Sequence, residues 1–327
     1  MTTAARSVGM DVDNSKTGLG RILAIAGYSI LILVAIIQTV PFILTIANSF
    51  KCDPAITTRP AAFIPAPPFG VQCATQDESG NRVVLNADDQ TEGITFNPSF
   101  NGYESILNST GAANNLPRWL VNTLIYSVAV MIIRIILNSM AGYALARIKF
   151  PGNRIVFFII LGVLMIPGVV LLIPRFLMLN QLNLLNTYHG YVIVLAADAF
   201  GIMLMKQFFE SIPKEIEEAA QVDGANRFIM FFRVILPMAT PALTALAIFS
   251  FQGQWNNFMD ALIIVGTDPE MFNLPMGLTV LTGSGQDIQF DLVLAGAVIT
   301  TLPMAVIFFL FQRYFVEGSN YSGLAGQ

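Results

Sequence analysis

The sequence predicts an all-helical integral membrane protein with six transmembrane helices. Only 12% of its 327 residues are charged and 54% are hydrophobic, whereas a soluble domain carries about 25% charged residues. The mean hydropathy is +0.65. Six apolar runs each reach the roughly 20 residues that a membrane helix needs. These observations leave soluble multi-domain folds as very poor alternatives.

The first apolar run, residues 22–47, follows a polar tail at residues 1–21. A cleaved signal peptide is the alternative, because Arg6, Lys16 and Arg21 precede the run. The apolar core of a signal peptide is about 7–15 residues long and ends at a small-residue cleavage site. This run is longer, and the residues after it offer no such site. We therefore expect an uncleaved first transmembrane helix.

Residues 48–117 form a polar, proline-rich insert with short strand-like runs such as residues 82–85. Both cysteines of the chain, Cys52 and Cys73, lie in it. If the insert is extracytoplasmic, a Cys52–Cys73 disulfide is chemically reasonable, because such bonds persist in oxidising compartments. Two unpaired thiols are the alternative.

The remaining five runs form a predicted core at residues 118–317, followed by a tail at 318–327. They cover residues 118–146, 155–179, 188–209, 239–265 and 290–316. Arg147, Lys149 and Arg154 crowd the link between the second and third runs, whereas the links at 180–187 and 266–289 contain no lysine or arginine. Because links rich in lysine and arginine stay in the cytoplasm, both termini are expected there and the insert outside.

The loop at residues 210–238 is the most charged segment in the second half of the chain. Pro213 suits the first turn of a helix, and the carboxylates that follow favour the positive end of the helix dipole. Gly224 supplies a left-handed helix end at little cost. A second helix at 226–235 follows, with an aromatic foot of Phe228, Phe231, Phe232 and Ile235, and Pro237 stops it. The alternative is an ordinary amphipathic connecting helix. It would explain Pro213 and Gly224 at the two helix ends, but not the small residues among the acidic side chains.

The chain has few residues suited to catalysis. His189 is its only histidine, so a histidine-based metal cluster cannot be built. No GxxxxGK[ST] phosphate-binding loop occurs either. We therefore expect that the chain is not an enzyme and that energy for any work arrives from another chain.

The loop resembles the EAA signature of importer-type ABC transporter permeases. Glu218-Ala219-Ala220 is followed after three residues by Gly224 and, further on, by Leu236-Pro237, with Val234 in place of the usual isoleucine. The flanking residues resemble the MalG-like carbohydrate-uptake branch. Further matching pieces are Asn122-Thr123, residues 141–147, Met165-Ile166-Pro167, residues 185–188, Trp255-Asn256 and residues 274–278.

The resemblance implies the MetI/MalG-like six-helix fold and a sugar or oligosaccharide importer of a prokaryotic inner or plasma membrane. A second permease subunit would complete the pore, two ATPase subunits would bind and hydrolyse ATP with Mg, and an extracytoplasmic binding protein would deliver the sugar. This chain itself would bind no cofactor. The resemblance assigns ATPase coupling to Glu218, Ala219, Ala220, Asp223, Gly224, Leu236 and Pro237. The glycine-containing tail at 318–327 resembles a tail that reaches into the ATPase dimer, although the usual terminal Lys-Gly is absent.

Polar residues in the fifth run suggest where a sugar would pass. Gln252, Asn256 and Asp260 recur at four-residue intervals, which predicts one helix face, with Trp255 and Asn257 beside it. Asparagine and glutamine bond sugar hydroxyls, and an aromatic ring covers a sugar's apolar face. The alternative is hydrogen bonding between packed membrane helices. Arg134 and Asp198 are further intramembrane charges, and the sequence leaves open whether they pair or act separately.

Other cargoes and other classes of protein stay open at this point. The EAA signature is shared across importers, so glycerol phosphate, a polyamine or a peptide is an alternative cargo. A secondary transporter usually has an internal repeat and interrupted helices, and no convincing repeat is visible. An intramembrane enzyme is disfavoured because the chain has few residues suited to catalysis.

Overall fold

In a computed structural model of the chain, residues 18–51, 56, 74–76, 82–84, 98–108, 115–281 and 289–323 are described. The chain divides into two units, residues 1–100 and 101–327. The first contains helix α1 (Gly18–Ser49) and an antiparallel pair of strands, β1 (Ala74–Gln76) and β2 (Arg82–Val84). The strand-like run predicted at 82–85 is confirmed for residues 82–84, and Leu85 lies outside the described residues. Most described side chains of α1 are exposed, except at its end, where Ala47, Asn48 and Ser49 are buried. The exposure suits an apolar helix that lipid or another membrane subunit surrounds.

The second unit is helical in all of its described elements. In chain order they are α2 (Asn101–Asn108), α3 (Leu116–Arg147), α4 (Asn153–Leu164), a 3-10 turn (Gly168–Leu171), α5 (Leu172–Gln181), α6 (Tyr188–Val194), α7 (Ala199–Ser211), α8 (Lys214–Val222), α9 (Arg227–Ile229), a π-helix (Met230–Ile235), α10 (Leu236–Met238), α11 (Thr240–Trp255), α12 (Met259–Ile264), a 3-10 turn (Pro269–Met271), α13 (Leu274–Leu281) and α14 (Phe290–Gly323). The last helix extends into the segment predicted as a tail.

Two of the predicted membrane helices are bent, and a third bend lies between the loop at 210–238 and the start of the predicted fifth span. Within the described ranges, α1, α3 and α14 are continuous spans by length and composition, and there are up to six spans if each bent pair counts as one. The bends are 101° between 153–164 and 168–181, 50° between 188–194 and 199–211, and 78° between 227–238 and 240–255. Pro167 lies at the first bend and Asp198 caps the helix after the second. Proline lacks the N–H that would continue a helix, and a capping aspartate starts a new one.

A buried cluster joins the loop at 210–238 to the spans. Phe231 and Ile235 are 6% and 0% exposed and pack with Tyr143 of α3 and Phe209 of α7. The Tyr143 ring lies 5.0 Å from Phe231 and 5.8 Å from Phe209. This is the predicted aromatic foot, although its other two phenylalanines, Phe228 and Phe232, are exposed. The loop is therefore packed firmly against two membrane helices.

Candidate functional site

The acidic helix α8 begins after Pro213 and ends at Val222, two residues before Gly224. Gly224 has a φ of +84°, a left-handed conformation that glycine adopts without a steric penalty. The N–H of Ala225 donates to the carbonyl of Ala220 at 2.9 Å, and the N–H of Gly224 donates to that of Gln221 at 3.0 Å. These two bonds define a Schellman motif. The left-handed helix end predicted at Gly224 is confirmed.

One side of this helix end carries no neighbouring structure among the described residues. Glu218, Ala219, Val222, Asp223 and Gly224 are all exposed, and Val222 retains 88% of its accessible surface. We call these five residues the exposed face. A Cβ atom added to Gly224 would meet no described atom within 4 Å. The face thus combines carboxylates with small residues and one exposed aliphatic side chain, a surface that another backbone can approach closely.

The opposite side of α8 is fixed to the end of α3 by a buried ion pair. Arg147 Nε lies 3.1 Å from Glu217 Oε1, and the two side chains are 4% and 10% exposed. The alignment is poor for a hydrogen bond, so the attraction is chiefly between the charges. Arg147 Nη2 also donates to the carbonyls of Phe209 and Ile212, which end α7. One guanidinium thus holds the ends of α3 and α7 and the acidic helix together.

The sequence did not predict this pair. Arg147 and Glu217 are 70 positions apart, and the arginine was interpreted only as part of a positively charged link. One signal in the sequence indicates that Glu217 faces the rest of the protein, namely its position on the helix. It lies one residue before Glu218 and therefore about 100° away on the helix, on the side that Ile216 and Ala220 share with the buried cluster.

The helices that Arg147 joins also pack closely. A Cβ atom on Gly142 of α3 would lie 2.7 Å from Met205 Cβ and 2.9 Å from the backbone nitrogen of Lys206, both on α7. Small residues allow membrane helices to approach in this way. The Arg147–Glu217 pair and the aromatic cluster therefore connect α8 and its loop to α3 and α7. The close contact at Gly142 connects α3 and α7 to each other.

The predicted sugar-path residues do not share one helix face. Helix α11 ends at Trp255, and Asp260 belongs to α12, so that part of the prediction is wrong. The Asn257 side chain accepts from the Asp260 N–H at 3.1 Å, and such side-chain caps compete with helix continuation. Gln252 and Asn256 are exposed. Trp255 is 2% exposed and its indole N–H donates to the Thr300 carbonyl at 3.2 Å, so it has no free ring face in this structure.

A polar network surrounds Asp260. Arg175 Nη1 lies 2.6 Å from Asp260 Oδ1, and Asn257 Nδ2 donates to Oδ2 at 2.9 Å. Gln254 Oε1 accepts from Asn257 and from the Tyr191 hydroxyl, both at 3.2 Å. The network joins α5, α6, α11 and α12 through side chains. Asn257 and Asp260 therefore serve as bridges between helices, the alternative that the sequence left open.

A second ion pair resolves the question about Arg134 and Asp198. Arg134 Nη1 lies 2.8 Å from Asp198 Oδ2, and its Nε donates to the Leu195 carbonyl at 2.8 Å. Asp198 also caps α7 by accepting from the Gly201 N–H at 2.5 Å. The pair thus stabilises the bend in the fourth span, where the broken helix leaves the Leu195 carbonyl without an intrahelical donor.

Comparison with known proteins identifies the family. Residues 138–319, more than half of the chain, match the family described as the inner membrane component of binding-protein-dependent transport systems. The chain belongs to this family. It is accordingly a multi-pass membrane protein, and the resemblance found in the EAA residues is confirmed at the level of the family. The match includes the acidic helix, the π-helix and the network around Asp260.

The permease is similar to several permeases of sugar uptake systems. It is 34% identical over 237 residues to the arabinooligosaccharides transport system permease protein AraQ of Halalkalibacterium halodurans, covering 72% of this chain and 84% of the relative. It is 34% identical over 212 residues to the diacetylchitobiose uptake system permease protein NgcG of Streptomyces coelicolor, covering 64% and 70%. With the trehalose/maltose transport system permease protein MalG of Thermococcus litoralis it shares 29% identity over 311 residues, covering 94% and 98%.

A solved structure has the same fold. A chain of a bacterial ABC transporter involved in the import of the acidic polysaccharide alginate superposes with a TM-score of 0.71 at 24% identity, covering 91% of the permease and 98% of that chain. The predicted helical importer-permease fold is confirmed to this extent.

The predicted disulfide would join Cys52 and Cys73, which both lie outside the described residues.

Proposed function

We propose that the permease is the membrane-spanning subunit of an ATP-driven importer that moves a sugar or oligosaccharide into the cytoplasm. The relatives named above are permeases for arabinooligosaccharides, diacetylchitobiose and trehalose or maltose. All three cargoes are short glycans, which supports a carbohydrate cargo over a polyamine or a peptide.

The arrangement of the acidic helix carries the proposal. Its buried side is tied to α3 and α7 through Arg147 and Glu217, while its exposed face presents Glu218, Ala219 and Gly224. A helix held in this way transmits force from a partner on one side to membrane helices on the other. We assign contact with an ATPase subunit to the exposed face, and the anchoring of the loop to Ala220 and Leu236, which pack against the buried cluster. Pro237 is exposed.

The topology and the partners form part of the same proposal. Lysines and arginines surround α8 and occur in the link after α3, and they favour a cytoplasmic position for α8 and for this link. The two termini would then be cytoplasmic and the insert at 48–117 extracytoplasmic. Two ATPase subunits would then supply ATP hydrolysis with Mg, since the sequence has no phosphate-binding loop. A second permease subunit and an extracytoplasmic binding protein would complete the transporter. A Cys52–Cys73 disulfide in the insert stays a prediction.

Substrate-stimulated ATP hydrolysis by the complete complex tests the proposed cargo. The complex of permeases, ATPases and binding protein, reconstituted in nanodiscs, is expected to hydrolyse ATP several-fold faster with one class of short glycan. Arabinose, chitin and maltose oligosaccharides, glycerol phosphate, spermidine and a tripeptide form a suitable panel. Stimulation by spermidine or the tripeptide, with every glycan inactive, would contradict a carbohydrate cargo.

A further inference from the structure

A groove of about 670 Å³ lies between the link at 147–153 and the acidic helix α8. Cavities of roughly 300–1,000 Å³ are the usual size for small-ligand sites. Its charged lining consists of Arg147, Lys149, Lys214, Arg227, Glu217 and Glu218. Four cations thus face two carboxylates, and the Arg147–Glu217 pair neutralises one of each. The remaining lining is cationic.

The remaining cations are available to an anion. Lys149 and Lys214 are exposed, and neither forms an ion pair with any residue in the described part of the chain. Arg227 is also exposed and lines the same groove. These three groups come from two segments, the link and the loop that contains α8. An anion between them would join the two segments.

The groove lies at the depth of lipid headgroups. Helix α3 contains 32 residues and is therefore about 48 Å long at 1.5 Å per residue, whereas the hydrocarbon core is about 30 Å thick. Its final residue, Arg147, accordingly reaches the headgroup layer. At the same end of the spans, Lys206 Nζ lies 4.6 Å from the ring centre of Phe157 and Arg154 lies 5.8 Å from that of Phe158. Lysine and arginine concentrate near the cytoplasmic ends of membrane helices.

We propose that this groove binds a phosphate-bearing anion, the headgroup of an anionic phospholipid, and that the headgroup bridges the 147–153 link to the acidic helix. Basic pockets at the cytoplasmic ends of membrane helices suit such headgroups. Of the exposed face, only Glu218 also lines the groove, so the ATPase contact and the lipid site are adjacent and share one residue. The inference rests on the cytoplasmic orientation in the proposed function.

The test uses the complete transporter in nanodiscs of phosphatidylcholine, titrated with phosphatidylglycerol and read by native mass spectrometry. The groove variant combines Lys149→Gln with Lys214→Gln. The matched control combines Arg154→Gln with Arg233→Gln, two exposed cations of the same region that do not line the groove. A cation that interacts with anionic lipid contributes about fivefold. Because both groove lysines would contact the bound headgroup, the groove variant should bind phosphatidylglycerol about 25-fold more weakly than the unsubstituted transporter. The control, whose two cations do not line the groove, should bind it nearly as tightly as the unsubstituted transporter.

The outcomes separate the possible ligands. Displacement of phosphatidylglycerol by millimolar inorganic phosphate would assign the site to soluble phosphate, whereas retention of the lipid would assign it to the headgroup. Equal lipid binding by the two variants would overturn the inference. Loss of ATPase subunits from the groove variant, with unchanged lipid binding, would overturn it in favour of a protein partner. Substrate-stimulated ATP hydrolysis by the unsubstituted complex reports separately on the proposed function.

Discussion

Replacement of Gly224 by aspartate is expected to abolish uptake and to uncouple ATP hydrolysis from substrate while the permease still inserts and folds. A Cβ atom at this position meets open space, so the fold itself can accommodate the side chain. The left-handed backbone costs a non-glycine residue about 1–3 kcal/mol, and aspartate is among the residues that tolerate it best. The main effect should therefore fall on the partner that approaches the exposed face.

The expected decrease in substrate-stimulated ATP hydrolysis follows from the position of the new carboxylate. It would be added beside Glu218 and Asp223, at the negative end of the α8 dipole, where the small size of glycine allows close contact. Loss of a central contact in an interface costs about 2 kcal/mol or more, which corresponds to a decrease of about 30-fold in substrate-stimulated ATP hydrolysis. Reconstituted complexes of equal subunit composition provide the measurement.

Gly152 offers a matched control for this substitution. It has a φ of +87° and, like Gly224, no described atom within 4 Å of an added Cβ. Gly152→Asp therefore imposes similar backbone strain and the same charge, away from the exposed face. We expect it to retain most of the stimulated activity. Normal stimulation in Gly224→Asp, or equal losses in both variants, would count against coupling through Gly224.

Replacement of Arg147 by alanine is expected to destabilise the permease by about 3–5 kcal/mol, because it leaves the buried carboxylate of Glu217 without its partner. The Phe209 and Ile212 carbonyls also lose their donor. Thermal unfolding followed by size-exclusion chromatography of the purified complex would measure this as a lower midpoint temperature. Uptake should fall with it, since α8 loses its attachment to α3.

A double substitution distinguishes the charge pair from packing alone. Arg147→Met with Glu217→Met removes both charges and keeps much of the volume, and buried pairs replaced in this way often retain stability. The double variant should unfold at a higher temperature than Arg147→Ala. If Arg147→Ala unfolds at the temperature of the unsubstituted permease, the pair does not hold the acidic helix.

Local signals predicted much of the fold and of the site. Long apolar runs located the spans, and Pro213 and Gly224 located the start and end of the acidic helix, because capping depends on neighbouring residues. The short strand at 82–84 was also visible, because it contains two adjacent valines, Val83 and Val84. These features need no information from distant parts of the chain.

Features that depend on long-range contacts could not be predicted in this way. Hydropathy measures how apolar a segment is and not whether it is straight, so the bends near Pro167 and Asp198 were missed. The break after Trp255 placed Asp260 on a separate helix, although its four-residue spacing from Asn256 suggested one face. Arg147 and Glu217 were each visible, but only the packing of α3 against the loop brings them together.

The most direct test of the central claim is site-specific cross-linking from the exposed face. A photoreactive residue in place of Ala219 is expected to form an adduct with an ATPase subunit in the assembled complex. The same residue in place of Asn183, which is exposed in the link predicted to lie outside, is expected to form none. Adducts with the ATPase from position 183 and none from position 219 would contradict both the assigned coupling surface and the orientation.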